Sequence, residues 1–242
     1  MSHAWLDAAL DLVFPAICPV CASALAAGRR DPLCGTCWET MPRLSPPWCE
    51  RCGLAFATFG PLAESTRREC HACSTEPPAF AWARAAVDYD GAAREALQAF
   101  KFGGRRLLAR PLAALVAETP EAARAMRADA LVPVPLAPAR ERDRGFNQAA
   151  VLAERLAGHF GVAVRASWLA RTRMTAPQTE LSAPERRANV RGAFAATRAV
   201  RGRMVVIVDD VFTTGATVSE CARALVEAGA QEVGVLTIAR VA

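Results

Sequence analysis

Residues Met204–Thr217 read MVVIVDDVFTTGAT. The run Met204–Val208 is continuously apolar, the pattern of a strand whose two faces are both covered. Two adjacent acids, Asp209 and Asp210, follow it directly. A short loop, Val211-Phe212-Thr213-Thr214-Gly215-Ala216-Thr217, then leads into a helix predicted over 214–228 and closed by Gly229. Loop amides and threonine hydroxyls at a helix N-terminus make an anion site, and glycine lets a backbone approach a phosphate closely. Acids cannot favour that same phosphate. They suit hydroxyl groups or a metal instead, so a monophosphate beside a pair of hydroxyls fits, as in a ribose 5-phosphate.

Working outward, strands and helices alternate. Strands are predicted over 83–89, 130–134, near 162–169, and over 204–208 and 232–238. Helices are predicted over 91–102, 107–118 and 146–160, as well as after the loop. This alternation implies an α/β fold with a doubly wound, mostly parallel sheet, whose ligands bind at the carboxyl ends of strands. The 242-residue chain is 52% hydrophobic, enough for a real core. Lys101 is its single lysine and is followed by Phe102, so no GxxxxGK[ST] phosphate loop exists and a Walker-type NTPase is excluded.

The N-terminal third is different. Eight of the nine cysteines form four C-x-x-C pairs: Cys18/Cys21, Cys34/Cys37, Cys49/Cys52 and Cys70/Cys73. Two residues between thiolates suit a zinc knuckle. Gaps of 12 residues (Cys21 to Cys34) and 17 residues (Cys52 to Cys70) suit ribbons that join knuckles. Sequential pairing into two four-cysteine sites is the simplest assignment, and first pair with third is the alternative. Four thiolates leave no open position for water, so zinc here is structural. His71 reads as a bystander and Cys221 as a buried helical residue. Leu6, Ala9, Leu10 and Val13 predict a short amphipathic helix before Pro15. STEPP at 74–78 reads as a linker, which divides the chain into a cysteine module, 1–78, and an α/β domain, 79–242.

No apolar run approaches the ~18–20 residues of a membrane span. The first 14 residues carry Asp7 and Asp11 and no basic n-region. The expectation is a soluble, cytoplasmic protein without membrane insertion. Charge is uneven, net −2 over residues 1–80 and net +7 over 81–242. Arg165–Arg203 alone holds nine arginines against Glu180 and Glu185. That segment reads as anion-facing, with a solvated basic face as the plainer alternative.

The strand, acid pair and Thr/Gly loop resemble the type I phosphoribosyltransferases. That resemblance implies that Asp209 and Asp210 bind the ribose hydroxyls of phosphoribosyl pyrophosphate, that Val211 and Phe212 belong to the same donor-binding segment, and that Thr213, Thr214, Gly215, Ala216 and Thr217 cradle its 5-phosphate, with Mg²⁺ accompanying the diphosphate. Two further segments narrow the likeness: VPVPLAPARERDRGFNQAA (132–150) and RTRMTAPQTELSAPERRANVRGAF (171–194). With the cysteine module they resemble the ComF family, which couples a zinc-binding N-terminus to a phosphoribosyltransferase domain and is associated with DNA uptake in natural competence. The resemblance implies a transferase of unknown acceptor, or a binding or regulatory module for single-stranded DNA built on the transferase fold. In either case the competence machinery is the expected partner.

In the superfamily, residues such as Pro133-Val134-Pro135 handle pyrophosphate; here they read as a rigid turn with a cis bond as a candidate feature. Arg144 is the chosen pyrophosphate contact and a catalytic candidate beside Asp209 and Asp210. The segment 171–193 reads as a lid, with Arg171, Arg173, Gln178 and Arg187 as its contacts. Lys101 and Pro135 complete the expected site. Any DNA contact is expected on the Arg-rich lid, because the cysteine module is net negative.

Overall fold

A computed structural model describes residues 16–25, 32–56, 68–174 and 182–241. The helix expected around Leu6–Val13 lies outside the described residues, as does Gln178. In chain order the elements are α1 (Gly35–Glu39), α2 (His71–Thr75), β1 (Trp82–Asp88), α3 (Gly91–Phe102), α4 (Ala109–Ala117), β2 (Ala130–Pro133), α5 (Pro138–Arg144), α6 (Gln148–Phe160), β3 (Leu169–Arg171), α7 (Ala183–Val190), β4 (Phe194–Ala196), β5 (Met204–Phe212), α8 (Ala216–Glu227) and β6 (Glu232–Arg240).

The central sheet is parallel throughout, in the order β1-β6-β5-β2. Its two faces carry separate cores. Helices α3, α4 and α6 pack on one face through Leu97, Phe100, Leu112, Leu152 and Leu156. On the other face α8, with α7 and β4, packs through Val190, Phe194, Val218 and Leu225. Coverage of both faces is why Val205–Val208 are buried without alternation. Asn147 caps α6 by accepting from the amides of Ala149 and Ala150. A capping box from Ser182 to Glu185 starts α7.

Two neighbouring strands run further than expected, β5 to Phe212 and β6 to Arg240. The strand expected near 162–169 is corrected. Val164 makes a single parallel bridge to Leu131, residues 166–168 form a helical turn, and β3 pairs with β4 in a separate antiparallel ribbon. The turn diverts the chain before a ladder can form. The helix after the Thr/Gly loop begins at Ala216 rather than Thr214, because Gly215 takes the left-handed conformation at its N-cap. The Val134–Pro135 bond is trans; among the described residues the cis bond is Pro46–Pro47.

The cysteine module wraps the outer edge of β1. Ala83 N–H donates to Arg51 O at 2.6 Å, Leu44 N–H to Ala86 O at 3.0 Å, and Asp88 N–H to Pro42 O at 2.9 Å. The otherwise open edge is thus paired. Gly53 makes the approach possible: a Cβ there would lie 2.6 Å from Ala83 O. Cys18 and Cys37 join the core under α3 and α4, while Cys49, Cys52, Cys70 and Cys73 join the core under α8. The module therefore straddles the sheet edge. A buried ion pair reinforces the junction. Arg84, 3% exposed, pairs with Glu121, whose other oxygen accepts from Trp48 Nε1 at 3.3 Å.

Candidate functional site

The pairing of β2 with β5 stops at Pro133↔Val208, followed by one hydrogen bond from Val134 N–H to Val208 O. Pro135 has no N–H to continue it. Strand β5 runs on beside β6, so Asp209 and Asp210 overhang the end of β2. The helices after β2 and β5 lie on opposite faces, so this gap is the switch point of the sheet. A cavity of about 560 Å³ opens there.

The cavity brings together most of the expected residues. Asp209, Asp210, Val211, Phe212, Thr213, Gly215, Ala216 and Thr217 line it, with Pro135, Lys101, Arg144 and Arg171. Lys101 reaches from the last turn of α3 to within 3.1 Å of an Asp210 carboxylate oxygen. Asp209 accepts the Asp210 amide at 2.9 Å. Burial, then the neighbouring Asp210 charge, push the Asp209 carboxyl up to about 7, against the pull of that amide, Lys101 and Arg144.

Arg144 ends α5, where Gly145 turns left-handed. Its guanidinium lies 4.9 Å over the Phe102 ring and donates to Gln148 Oε1 at 2.9 Å. Asn147 ties this segment to the sheet by donating to Val134 O at 3.0 Å. Arg140 also lines the cavity, and burial followed by the Arg144 charge lowers its pKa. Burial and then Arg140 do the same to Arg171. Lys101, Arg140, Arg144 and Arg171 line the cavity together with Asp209 and Asp210, and Asp143 is a third acid in the lining. Such a site can take a polyanion at one end and hydroxyl groups at the other.

Three expected residues go elsewhere. Thr214 faces a second cavity, of about 650 Å³, on the other side of the loop, and its hydroxyl accepts from the Ala216 amide at 3.4 Å. Arg187 lines that same second cavity, facing the cysteine module. Arg173 donates to Asn189 O and Arg191 O at 2.9 and 2.7 Å, closing the end of α7 instead of entering the site. Tyr89, Phe102, Arg140, Asn147 and Gln148 line the site without having been expected individually. The RGFNQ segment signalled Asn147 and Gln148; nothing local signalled Tyr89.

The cysteines gather sequentially: Cys18, Cys21, Cys34 and Cys37 in one cluster, Cys49, Cys52, Cys70 and Cys73 in another, each with sulfurs within 4.8 Å. A tetrahedral zinc with bonds of ~2.3 Å needs sulfurs about 3.8 Å apart. Cys21 and Cys34 are 3.6 Å apart, and Cys52 and Cys70 are 3.7 Å apart. Amides of Cys37, Cys52 and Cys70 point at cysteine sulfurs at 3.3–3.5 Å, as partners of thiolates do. Burial opposes ionisation of Cys49, yet the backbone amides of Cys52, Cys70 and Arg51 bring its thiol down to about 7. Both clusters fit structural zinc. His71 stands apart from them, exposed on α2, and Cys221 is buried in α8.

Comparison with known proteins agrees with this architecture. Residues 9–76 match the double zinc ribbon domain and residues 142–242 the phosphoribosyl transferase domain. The DNA utilization protein YhgH of Escherichia coli O157:H7 is 34% identical over 233 residues, 95% of this chain and 99% of that protein. Competence protein F of Haemophilus influenzae is 29% identical over 220 residues, 87% of this chain and 91% of that protein. The chain belongs to the ComF family. Another ComF relative, competence protein ComFC of Streptococcus pneumoniae, is 25% identical over 90% of this chain and 93% of its own. No helix among the described residues is long and apolar enough to cross a membrane.

Proposed function

We propose that this ComF protein binds phosphoribosyl pyrophosphate with Mg²⁺ in the 560 Å³ cavity and transfers the phosphoribosyl group to an acceptor used in DNA uptake or utilisation. The observation that carries this reading is one cavity shared by an acid pair, a helix-capping Thr/Gly loop and four cations. The ribose hydroxyls would donate to Asp209 and Asp210. The 5-phosphate would accept from amides of residues 213–217 at the start of α8. Arg144, with Arg140 and Arg171, would hold the diphosphate, and Lys101 would keep Asp210 oriented.

The reaction would be a displacement at ribose C1. Mg²⁺ suits the oxygen donors here and would supply charge stabilisation for the leaving diphosphate. Arg144 would share that role, and closure of the 171–193 segment would exclude water. The division into 1–78 and 79–242 and a cytoplasmic location belong to the same proposal. The relatives' names support the DNA link.

The test is phosphorus NMR of the zinc-loaded protein with phosphoribosyl pyrophosphate and Mg²⁺, titrated with nucleobases and then single-stranded DNA. Release of pyrophosphate above a protein-free control, lost in Asp210→Asn with zinc content unchanged, is expected. Donor signals that broaden without turnover would favour the second reading, a binding or regulatory module contacting single-stranded DNA on its Arg-rich face. Donor signals that never change would refute the site.

A further inference from the structure

The two cavities share one wall, the segment from Phe212 to Ala216, and the second zinc cluster stands behind it. The Arg240 side chain spans the gap. Arg240, the last residue of β6, is 8% exposed. Its Nη1 donates to Cys52 O at 2.6 Å, within a knuckle of the second cluster. Its guanidinium carbon lies 4.5 Å from the centre of the Phe212 ring. That ring in turn underlies the phosphate loop: a Cβ on Gly215 would meet Phe212 Cζ at 2.6 Å. Phe80 buttresses the ring from another side, edge to face at 6.1 Å.

Arg240 forms no ion pair with a carboxylate among the described residues, and its Nε has no hydrogen-bond partner there. A buried guanidinium needs a compensating negative charge. Four thiolates around Zn²⁺ carry a net charge of about −2, and Arg240 sits against one of their knuckles. A zinc-loaded cluster would answer that charge, and the flat face of the guanidinium lies against Phe212.

We propose that Arg240 is a positioning residue that seats the phosphate loop on the second zinc site, so that metal occupancy at Cys49, Cys52, Cys70 and Cys73 sets the loop's order and its affinity for phosphate. Among the described residues, the first zinc site lies in the other core, and its four cysteines line neither cavity. This rests on the reading of residues 213–217 as the 5-phosphate cradle, but the coupling itself can be measured without that ligand.

Hydrogen–deuterium exchange across residues 212–217, with zinc content measured alongside, tests it on the full chain. Arg240→Gln should retain two zinc ions, speed loop exchange about tenfold and weaken binding of Mg²⁺–phosphoribosyl pyrophosphate by a similar factor, the size of a lost desolvated cation–π contact. Arg240→Lys keeps the charge but not the planar stack, so it should keep zinc and still loosen the loop. Phe212→Leu should match Arg240→Gln, and the double variant should be no worse than either. Cys73→Ser should loosen the loop where Cys21→Ser does not. Parent-like exchange in a two-zinc Arg240→Gln protein overturns the coupling, as does equal loosening by both cysteine variants. A parent protein that binds no phosphoribosyl pyrophosphate refutes the proposed function, while the exchange data still decide the coupling.

Discussion

Asp209→Asn should make the ligand-free protein more stable than the parent, by a margin that grows with pH. The carboxyl is raised from 3.8 to about 7, chiefly by burial and then by the Asp210 charge. A carboxyl that holds its proton more tightly when folded gives its full stabilisation below pH ~4 and loses it as pH rises through about 7. A gap of roughly three units at ~1.36 kcal/mol each is about 4 kcal/mol over that window. Between pH 5 and 7 the change is about 2–3 kcal/mol. The amide variant has no such titration. Its side-chain oxygen can still accept the Asp210 N–H, 2.9 Å away in the parent, so that hydrogen bond is kept. Urea unfolding of both proteins at pH 5, 6, 7 and 8, with zinc held constant, gives the difference directly. Thiolate protonation occurs in both proteins and cancels in the subtraction. Stability profiles that stay parallel within ~0.5 kcal/mol would show that the acid pair is not strained, and the reasoning would fail.

Other outcomes follow from features already described. Gly215→Ala should cost about 2–4 kcal/mol, because φ is +74° and the new Cβ meets the Phe212 ring at 2.6 Å; thermal unfolding and phosphate titration should both register it. Glu121→Ala leaves Arg84 buried without its carboxylate and should lower stability by about 3–5 kcal/mol in urea unfolding. A chelator should remove two zinc ions per chain, counted by mass spectrometry, and lower the melting temperature at low micromolar protein.

Much of the site could be read in the sequence because its parts are local. A strand, two acids and a capped helix follow one another without interruption, and C-x-x-C pairs carry their own spacing. Lys101 was conspicuous as the single lysine of an arginine-rich chain, and the fold brings it to Asp210 from over 100 residues away. The failures are failures of direction. Arg173 and Arg187 sit in the expected Arg-rich segment, but β3, β4 and α7 turn it so that one closes a helix end and the other faces the zinc module. Thr213 and Thr214 are neighbours on either side of a ridge, and composition cannot say which of them faces the acids. Arg240 was invisible because its two partners, Cys52 and Phe212, come from opposite thirds of the chain.

The pairing of the cysteine module with β1 bears on how this architecture could be taken apart. Severed near residue 78, the α/β portion would present β1 as a raw, largely apolar strand, with Arg84 stripped of its cover from Glu50 and Trp48. Such a fragment would tend to find another copy of itself through that strand. The ribbon thus guards in cis an edge that any chain without it would have to cover in another way.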